Sequence, residues 1–225
     1  MSSTSFTLQD ARLTARGTGS LWWEDARLLC VSDLHLGKAE RMARRGGTLL
    51  PPYDTRETLA RLNSELTELE PQTVICLGDS FDDGLAAEHL DESDRIQIGT
   101  MMAGRRWFWV EGNHDPGDLG LGGTAVDALE RGPLTFRHIA QAGAQPGEVS
   151  GHYHPKIGVH TRAGRVTRPC FVYDTRRLIL PAFGAYTGGL SADDPALNTL
   201  FGSDACCILT GRRTSTVPLD IRQTA

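Results

Sequence analysis

With 225 residues and 40% hydrophobic content, the chain holds enough apolar material to bury a full core and reads as one domain over residues 1–225. Its formal charge of −5 excludes indiscriminate coating of nucleic acid and confines any such contact to local patches. No apolar run reaches the roughly 18–20 residues of a membrane span, and the N-terminal MSSTSFTLQD lacks the basic start and apolar stretch of a secretory signal, so a cytoplasmic protein without membrane contact is expected.

In chain order, residues 27–32 (RLLCVS) form a short apolar run that ends at SDLHLG and predicts a buried strand. The segment DTRETLARLNSELTELE follows, with Asp54 as candidate N-cap, Glu57 three residues on, and Leu59, Leu62, Leu66 and Leu69 at helical spacing. That pattern predicts an amphipathic helix. Residues 73–77 (TVICL) predict a second buried strand, ending at LGDS, and residues 86–103 a helix with an imperfect stripe of Leu90, Ile96, Ile98 and Met101. A third strand is predicted at 107–110 (WFWV), ending at EGNHD. Buried strands whose carboxyl ends carry motifs place those motifs along one rim.

Beyond residue 132 the pattern shortens to strands near 133–138, 147–151, 157–160, 170–174, 178–181, 206–210 and 214–217, separated by Gly, Pro and Arg-rich turns. Early helices and later strands together predict stacked sheets flanked by helices, an α/β (α+β) chain. Five cysteines, an odd number without metal-knuckle spacing, read as reduced core thiols, with Cys30, Cys76 and Cys206 in apolar segments.

The chemistry sits in short blocks: Asp33 and His35 in SDLHLG, Asp79 in LGDS, Asn113 in EGNHD, His138 after TFR, and His152 and His154 in SGHYHP. Alone, each has an ordinary reading, as a polar turn, a helix cap or a strand-edge imidazole. Their joint order points instead to a pair of divalent ions roughly 3.5 to 4 Å apart, which clamp the attacking and leaving oxygens of a phosphoryl displacement. One carboxylate must then serve both ions. Carboxylate, amide and several imidazoles suit manganese, iron or zinc better than magnesium or calcium, and manganese is the first expectation. His152 and His154, two apart in a strand, would face the same way.

Taken together, Asp-x-His, Gly-Asp, Gly-Asn-His-Asp and Gly-His-x-His resemble the calcineurin-like metallophosphoesterases over about residues 28–154. The resemblance implies a four-layer αββα sandwich, two packed mixed sheets flanked by helices, with ligands on the loops at strand ends. It implies that Asp33, His35, Asp79 and His154 hold one ion and Asp79, Asn113, His138 and His152 the other, Asp79 being the bridge. It places His114 beside the scissile phosphate, where an imidazole can donate to the leaving oxygen, with Asp115 orienting it.

A narrower resemblance rests on HLGKAERMARRGGTLLPPYDT, LGDSFDDG and SGHYHPKI, which are similar to the bacterial ligase-associated DNA damage response endonucleases. It implies a manganese-dependent endonuclease of single-stranded or structured DNA in repair, functionally linked to a DNA ligase and a helicase. In that group the segment after Gly-Asp reads G-D-x-F-H, and here Asp82 stands at the His position. An ionised carboxylate there would repel a phosphodiester by about 1 kcal/mol at about 4 Å in water and about 4 kcal/mol at an effective dielectric of about 20. Nearby ions, or a raised pKa that keeps the carboxyl protonated, would relieve this. Asp82 therefore carries the expectation of altered activity, toward small or cyclic diesters or monoesters.

Lys38, Arg41, Arg44 and Arg45 follow the first block, and Lys38 and Arg44 lead as phosphate contacts, with a solvated helix face as the other reading. The pairs Arg105–Arg106, Arg176–Arg177 and Arg212–Arg213 are expected to coat the outer surface, and Tyr153, Trp22, Trp23, Trp107 and Trp109 to pack. Rival functions are a small-molecule phosphomonoesterase or cyclic-nucleotide phosphodiesterase using the same ligands, and a non-catalytic interaction scaffold. The complete ligand set and the presence of His114 speak against the scaffold. A membrane-bound lipid pyrophosphatase is disfavoured because no amphipathic apolar insert is present.

Overall fold

The computed structural model describes residues 2–46, 51–161 and 164–219; residues 47–50 of the basic segment lie outside these. The N-terminal region forms β1 (Ser3–Leu8), β2 (Ala11–Arg16) and β3 (Leu21–Trp23), an antiparallel meander that leads into β4 (Leu28–Ser32). After α1 (Lys38–Arg44) and α2 (Asp54–Leu69) come β5 (Thr73–Leu77), α3 (Gly84–Glu88), α4 (Glu92–Met102), β6 (Arg106–Val110) and β7 (Thr124–Val126). Strands β1 to β7 form one sheet in sequence order, antiparallel as far as β4 and parallel from β4 to β7.

The second sheet collects β8 (Ala128–Arg131), β9 (Leu134–Arg137), β10 (Glu148–Ser150), β12 (Gly164–Tyr173), β13 (Arg177–Ile179), β14 (Cys206–Leu209) and β15 (Ser215–Pro218), with β11 (Lys156–Thr161) paired only to β12 as a ribbon. Its order is β15-β14-β12-β13-β10-β9-β8, parallel around β10 and antiparallel elsewhere.

The side-chain alternation of the strands explains the layers. Leu28, Cys30, Ile75 and Leu77 point toward the second sheet and meet Phe136, Val149, Phe171, Leu178 and Ile208. Their neighbours Leu29, Val31, Val74, Cys76, Trp107 and Trp109 point the other way, onto Leu59, Leu62 and Leu66 of α2 and Ile98 and Met101 of α4. Each large side chain buried in this way contributes about 1.5–3 kcal/mol relative to exposure. The outer face of the second sheet is covered by a third cluster that includes Cys170, Val172, Ile179 and Cys207. Its helix is short: α5 (Pro195–Asn198) supplies Leu197, and the loop residues Ala192 and Phe201 complete the cover. The sandwich is thus two packed mixed sheets with few helices, and its fourth layer is mostly irregular chain.

Several sequence expectations are corrected. Asp54 does not cap α2; it is the first helical residue, and its Oδ2 accepts from the Ala39 N–H at 3.1 Å, which ties α1 to α2. The helix expected over 86–103 is divided into α3 and α4, and of its stripe only Ile98 and Met101 are buried while Ile96 is exposed. A buried ion pair joins the N-terminal strands to α2: Arg16 Nε lies 2.5 Å from Glu65 Oε2, which also accepts from Ser20 Oγ at 2.6 Å. The five cysteines are free, four of them buried. Among the described residues no helix is long and apolar enough to cross a membrane.

Candidate metal centre

The parallel pairing of β4 and β5 continues past the sheet edge. Asp33 N–H donates to Gly78 O (3.2 Å), His35 N–H to Asp79 O (2.9 Å), Leu36 N–H to Ser80 O (2.9 Å) and Asp82 N–H to Leu36 O (3.0 Å). This zipper satisfies the backbone while the side chains turn inward. The turning is done by left-handed residues: Asp33, His35 and Asp79 have φ of 53°, 45° and 43°, and His152 and His154 have 71° and 47°. Outside glycine the left-handed region is sparsely used, Asn, Asp and His being the side chains that enter it most readily. Each costs on the order of 1–2 kcal/mol. Such strain clusters at functional sites, where the surrounding structure enforces it.

His152 and His154 are therefore not on a strand, contrary to the expected alternation. They lie in the loop after β10, whose strand ends at Ser150. The glycines of the motifs have a steric reason. A Cβ on Gly78, itself at φ 73°, would collide with the His138 ring, and one on Gly151 would collide with Ser32 Oγ and Asp33 Oδ2. Ser32, which no motif marked, donates its hydroxyl to Asp33 Oδ2.

Two groups of ligand atoms result, each confined within 4.8 Å: Asp33, His35 and His154 in one, Asp79, His138 and His152 in the other. In the first, His154 Nε2 lies 3.1 Å from Asp33 Oδ1 and 3.4 Å from His35 Nε2. In the second, His138 Nε2 lies 3.4 Å from Asp79 Oδ2, 3.2 Å from His152 Nδ1 and 3.1 Å from Asn113 Oδ1. Asp79 Oδ2 is also 4.0 Å from His35 Nε2, so this one oxygen faces both groups. His138 Nδ1 sits 3.2 Å from Leu77 O, a placement that suits an Nδ1–H donor and leaves Nε2 as a lone pair aimed into the centre.

These donors fit divalent cations. Imidazole nitrogens of different rings face each other at 3.2 and 3.4 Å, beside buried carboxylates and an amide oxygen, and a cation in each group would satisfy the lone pairs there. Hydrogen bonds and charges among these groups shift their protonation. Burial pushes the Asp79 carboxyl up, but His138 and the His114 N–H outweigh it and bring it down to about 2. Asp33 is likewise lowered: burial is overcome by His154 and His138. His138 is raised, because Asp79 and Asp33 outweigh its burial, and His152 is lowered by burial and by the charge on His138.

Asp82 is 1% exposed and faces away from open solvent. Its Oδ1 is 2.9 Å from His35 Nδ1 and 3.7 Å from Lys38 Nζ, while Oδ2 pairs with Arg41 Nε. Burial raises its pKa, but His35, Lys38 and Arg41 more than reverse that, so the carboxyl is held below its ordinary range and is no proton donor. A carboxylate behind a candidate ligand imidazole is a common second layer of metal sites. Arg44 is bound to Glu40 (2.6 Å) and Asp83 (3.0 Å), so its guanidinium is already occupied.

His114 is the most open of these imidazoles, with 39% of its side chain exposed and Nε2 3.9 Å from Asp79 Oδ2. Asp115 does not orient it. Among the described residues no hydrogen bond or ion pair joins the two, and Asp115 instead accepts from the Phe81 N–H (3.0 Å) and the Gly112 N–H (3.2 Å), pinning the Asn113 turn against the β5 loop. Burial, with the Asp79 charge behind it, pushes the Asp115 carboxyl up to about 7 against the pull of the backbone N–H groups. Tyr153 packs in the outer cluster, its ring perpendicular to that of His152 with centroids 5.2 Å apart.

A family model described as calcineurin-like phosphoesterase matches residues 26–172. Among solved structures, the nuclease MPE of Pseudomonas putida is 28% identical, with a TM-score of 0.74 over 96% of this chain and 100% of that one. Yfce, a phosphoesterase from E. coli, is 13% identical with a TM-score of 0.43 over 87% of this chain and 99% of that one. No curated protein matches the sequence.

Asp82→Asn removes the charge behind His35 and is expected to weaken manganese binding about 10- to 100-fold, measured by calorimetric titration; unchanged affinity would remove Asp82 from the centre. Because the neighbouring carboxylates raise the His138 imidazole, an ion held by its Nε2 would have to displace a proton, and affinity should then fall as pH drops through its pKa. Titration in buffers of different ionisation enthalpy should show proton release on binding that His138→Ala diminishes. Binding without proton release would contradict this.

Proposed function

As the chain belongs to the calcineurin-like phosphoesterase family and is a metal-dependent phosphoesterase, we propose that it is a DNA endonuclease using two divalent ions, manganese preferred and iron or zinc tolerated. The observation that carries this reading is the position of Asp79, whose Oδ2 faces His35 of one ligand group and His138 of the other. Asp33, His35, Asp79 and His154 would hold one ion, and Asp79, Asn113, His138 and His152 the second. Bound there, the ions would supply Lewis acidity toward the phosphoryl oxygens and a nucleophile at neutral pH.

The protein's own groups do the rest. His114, open to solvent beside Asp79, is placed to give a proton from Nε2 to the departing oxygen. Lys38, whose ammonium stands 3.7 Å from Asp82 at the edge of the ligands, is the residue of the basic segment that we assign to a phosphate oxygen. Asp82 holds His35 and does not repel substrate, since His35, Lys38 and Arg41 surround its charge. These contacts favour DNA over small esters as the reading of Asp82. The nuclease among the structural neighbours supports a nucleic acid as substrate; DNA, and a role in repair beside a DNA ligase and helicase in the cytoplasm, complete the proposal.

A panel of single-stranded DNA, duplex DNA, cyclic nucleotides and p-nitrophenyl phosphate, assayed with manganese, tests it. DNA should be cut internally, and Asp79→Ala should abolish cutting. His114→Ala should lower DNA cleavage by about 10²–10⁴-fold but affect a diester with a p-nitrophenolate leaving group far less, because that group departs without a proton. Hydrolysis of monoesters or cyclic nucleotides with no cleavage of DNA would refute the nuclease reading.

A further inference from the structure

The arginines next to the first ligand block are spent on Asp82, Asp83 and Glu40. A second basic surface is not. A groove of about 800 Å³ opens between α2, the β11–β12 ribbon and the chain at 181–187, and its walls carry Arg61, Lys156, Arg168 and Arg212 against one acid, Glu57. Four cations to one carboxylate stand out in a chain whose net charge is −5.

Their heads are largely unpaired. Arg168 and Arg212 are exposed and make no ion pair among the described residues. Among the described residues Lys156 Nζ donates only to a carbonyl, Thr187 O, at 3.0 Å. Arg61 gives one N–H to Phe183 O and lies 4.8 Å over the Phe183 ring, yet its buried Nε has no partner. Tyr186 stands on the same wall, 43% exposed and at φ 57°, a conformation unusual for an aromatic residue. The groove adjoins the candidate centre through the backbone. Gly184 N–H donates to Asp33 O at 3.0 Å, and Lys156 follows His154 by two residues.

Building on the nuclease reading, we propose that this groove holds a single strand of nucleic acid leading away from the metal centre, phosphates on Arg168, Arg212 and Lys156 and a base stacked on Tyr186. A cationic track with an aromatic platform is the general solution for single strands, because every base offers a π face once it is unpaired. A duplex offers phosphates but no free base face to Tyr186.

Fluorescence anisotropy with a labelled single-stranded oligonucleotide, in the full chain, tests the assignment. Arg168→Glu/Arg212→Glu should weaken binding at least about tenfold and flatten the log–log salt dependence by about 0.7 for each phosphate no longer neutralised. Arg12→Glu/Arg176→Glu, the same charge change at exposed arginines outside the groove, should stay within about twofold. If both pairs act alike while the parent protein still cuts the oligonucleotide, the groove assignment is overturned and the nuclease reading survives. If the parent splits bis(p-nitrophenyl) phosphate with manganese but neither holds nor cuts the oligonucleotide, both are overturned. Tyr186→Ala should lower single-strand affinity at least about fivefold and leave a blunt duplex unaffected; equal loss on both would overturn the stacking role.

Discussion

Convergence of lone pairs is the constraint on which this molecule is built. Two buried carboxylates, an amide oxygen and four imidazoles converge within 3.1 to 4.0 Å of one another, and two pairs of imidazole nitrogens face each other at 3.2 and 3.4 Å. The chain holds this convergence by several means. The parallel strands β4 and β5 remain hydrogen-bonded beyond their ends, left-handed backbone aims Asp33, His35, Asp79, His152 and His154 inward, and Gly78 and Gly151 leave room for His138 and Asp33. The two sheets are joined at the same place, since His152 N–H donates to Asp33 Oδ2 at 3.0 Å. The core between the sheets therefore does more than stabilise. It fixes the distance between ligands that belong to different sheets.

Electrostatics around the centre follow from burial. Asp82, from its position after Gly-Asp, reads as a charge placed against substrate. Surrounded by His35, Lys38 and Arg41 it is instead part of the scaffold behind a candidate ligand. The same contacts occupy Arg41, and Arg44 is taken by Glu40 and Asp83, so these two arginines add little attraction for a polyanion. Asp115 gives the complementary case. Sequestered with backbone N–H groups and facing the charge of Asp79, it braces the turn that presents Asn113 and His114.

What is legible in the sequence follows physical lines. The runs at 27–32, 73–77 and 107–110 stand out because β4, β5 and β6 are covered on both faces and so read as continuous apolar text. Strands β1 and β2 escape that reading because only one face is buried and their apolar residues, Phe6 and Leu8, then Ala11, Leu13 and Ala15, alternate with polar ones. That alternation is the available signal. The loop course of His152 and His154 is hidden because strand alternation and two successive left-handed turns can each bring residues two apart to one site. Partnerships across the chain, such as Asp82 with Arg41 or Arg16 with Glu65, leave no local pattern, and neither does the gathering of Arg61, Lys156, Arg168 and Arg212 from four separate segments.

One carboxylate serving two ions is the central proposal, and electron paramagnetic resonance of the manganese-loaded protein addresses it directly. Ions about 3.5 to 4 Å apart and joined through Asp79 should bind as two equivalents and give the exchange-coupled multiline signal of a manganese pair, which Asp79→Ala should eliminate. A single bound equivalent, or two that give only isolated six-line spectra, would contradict it.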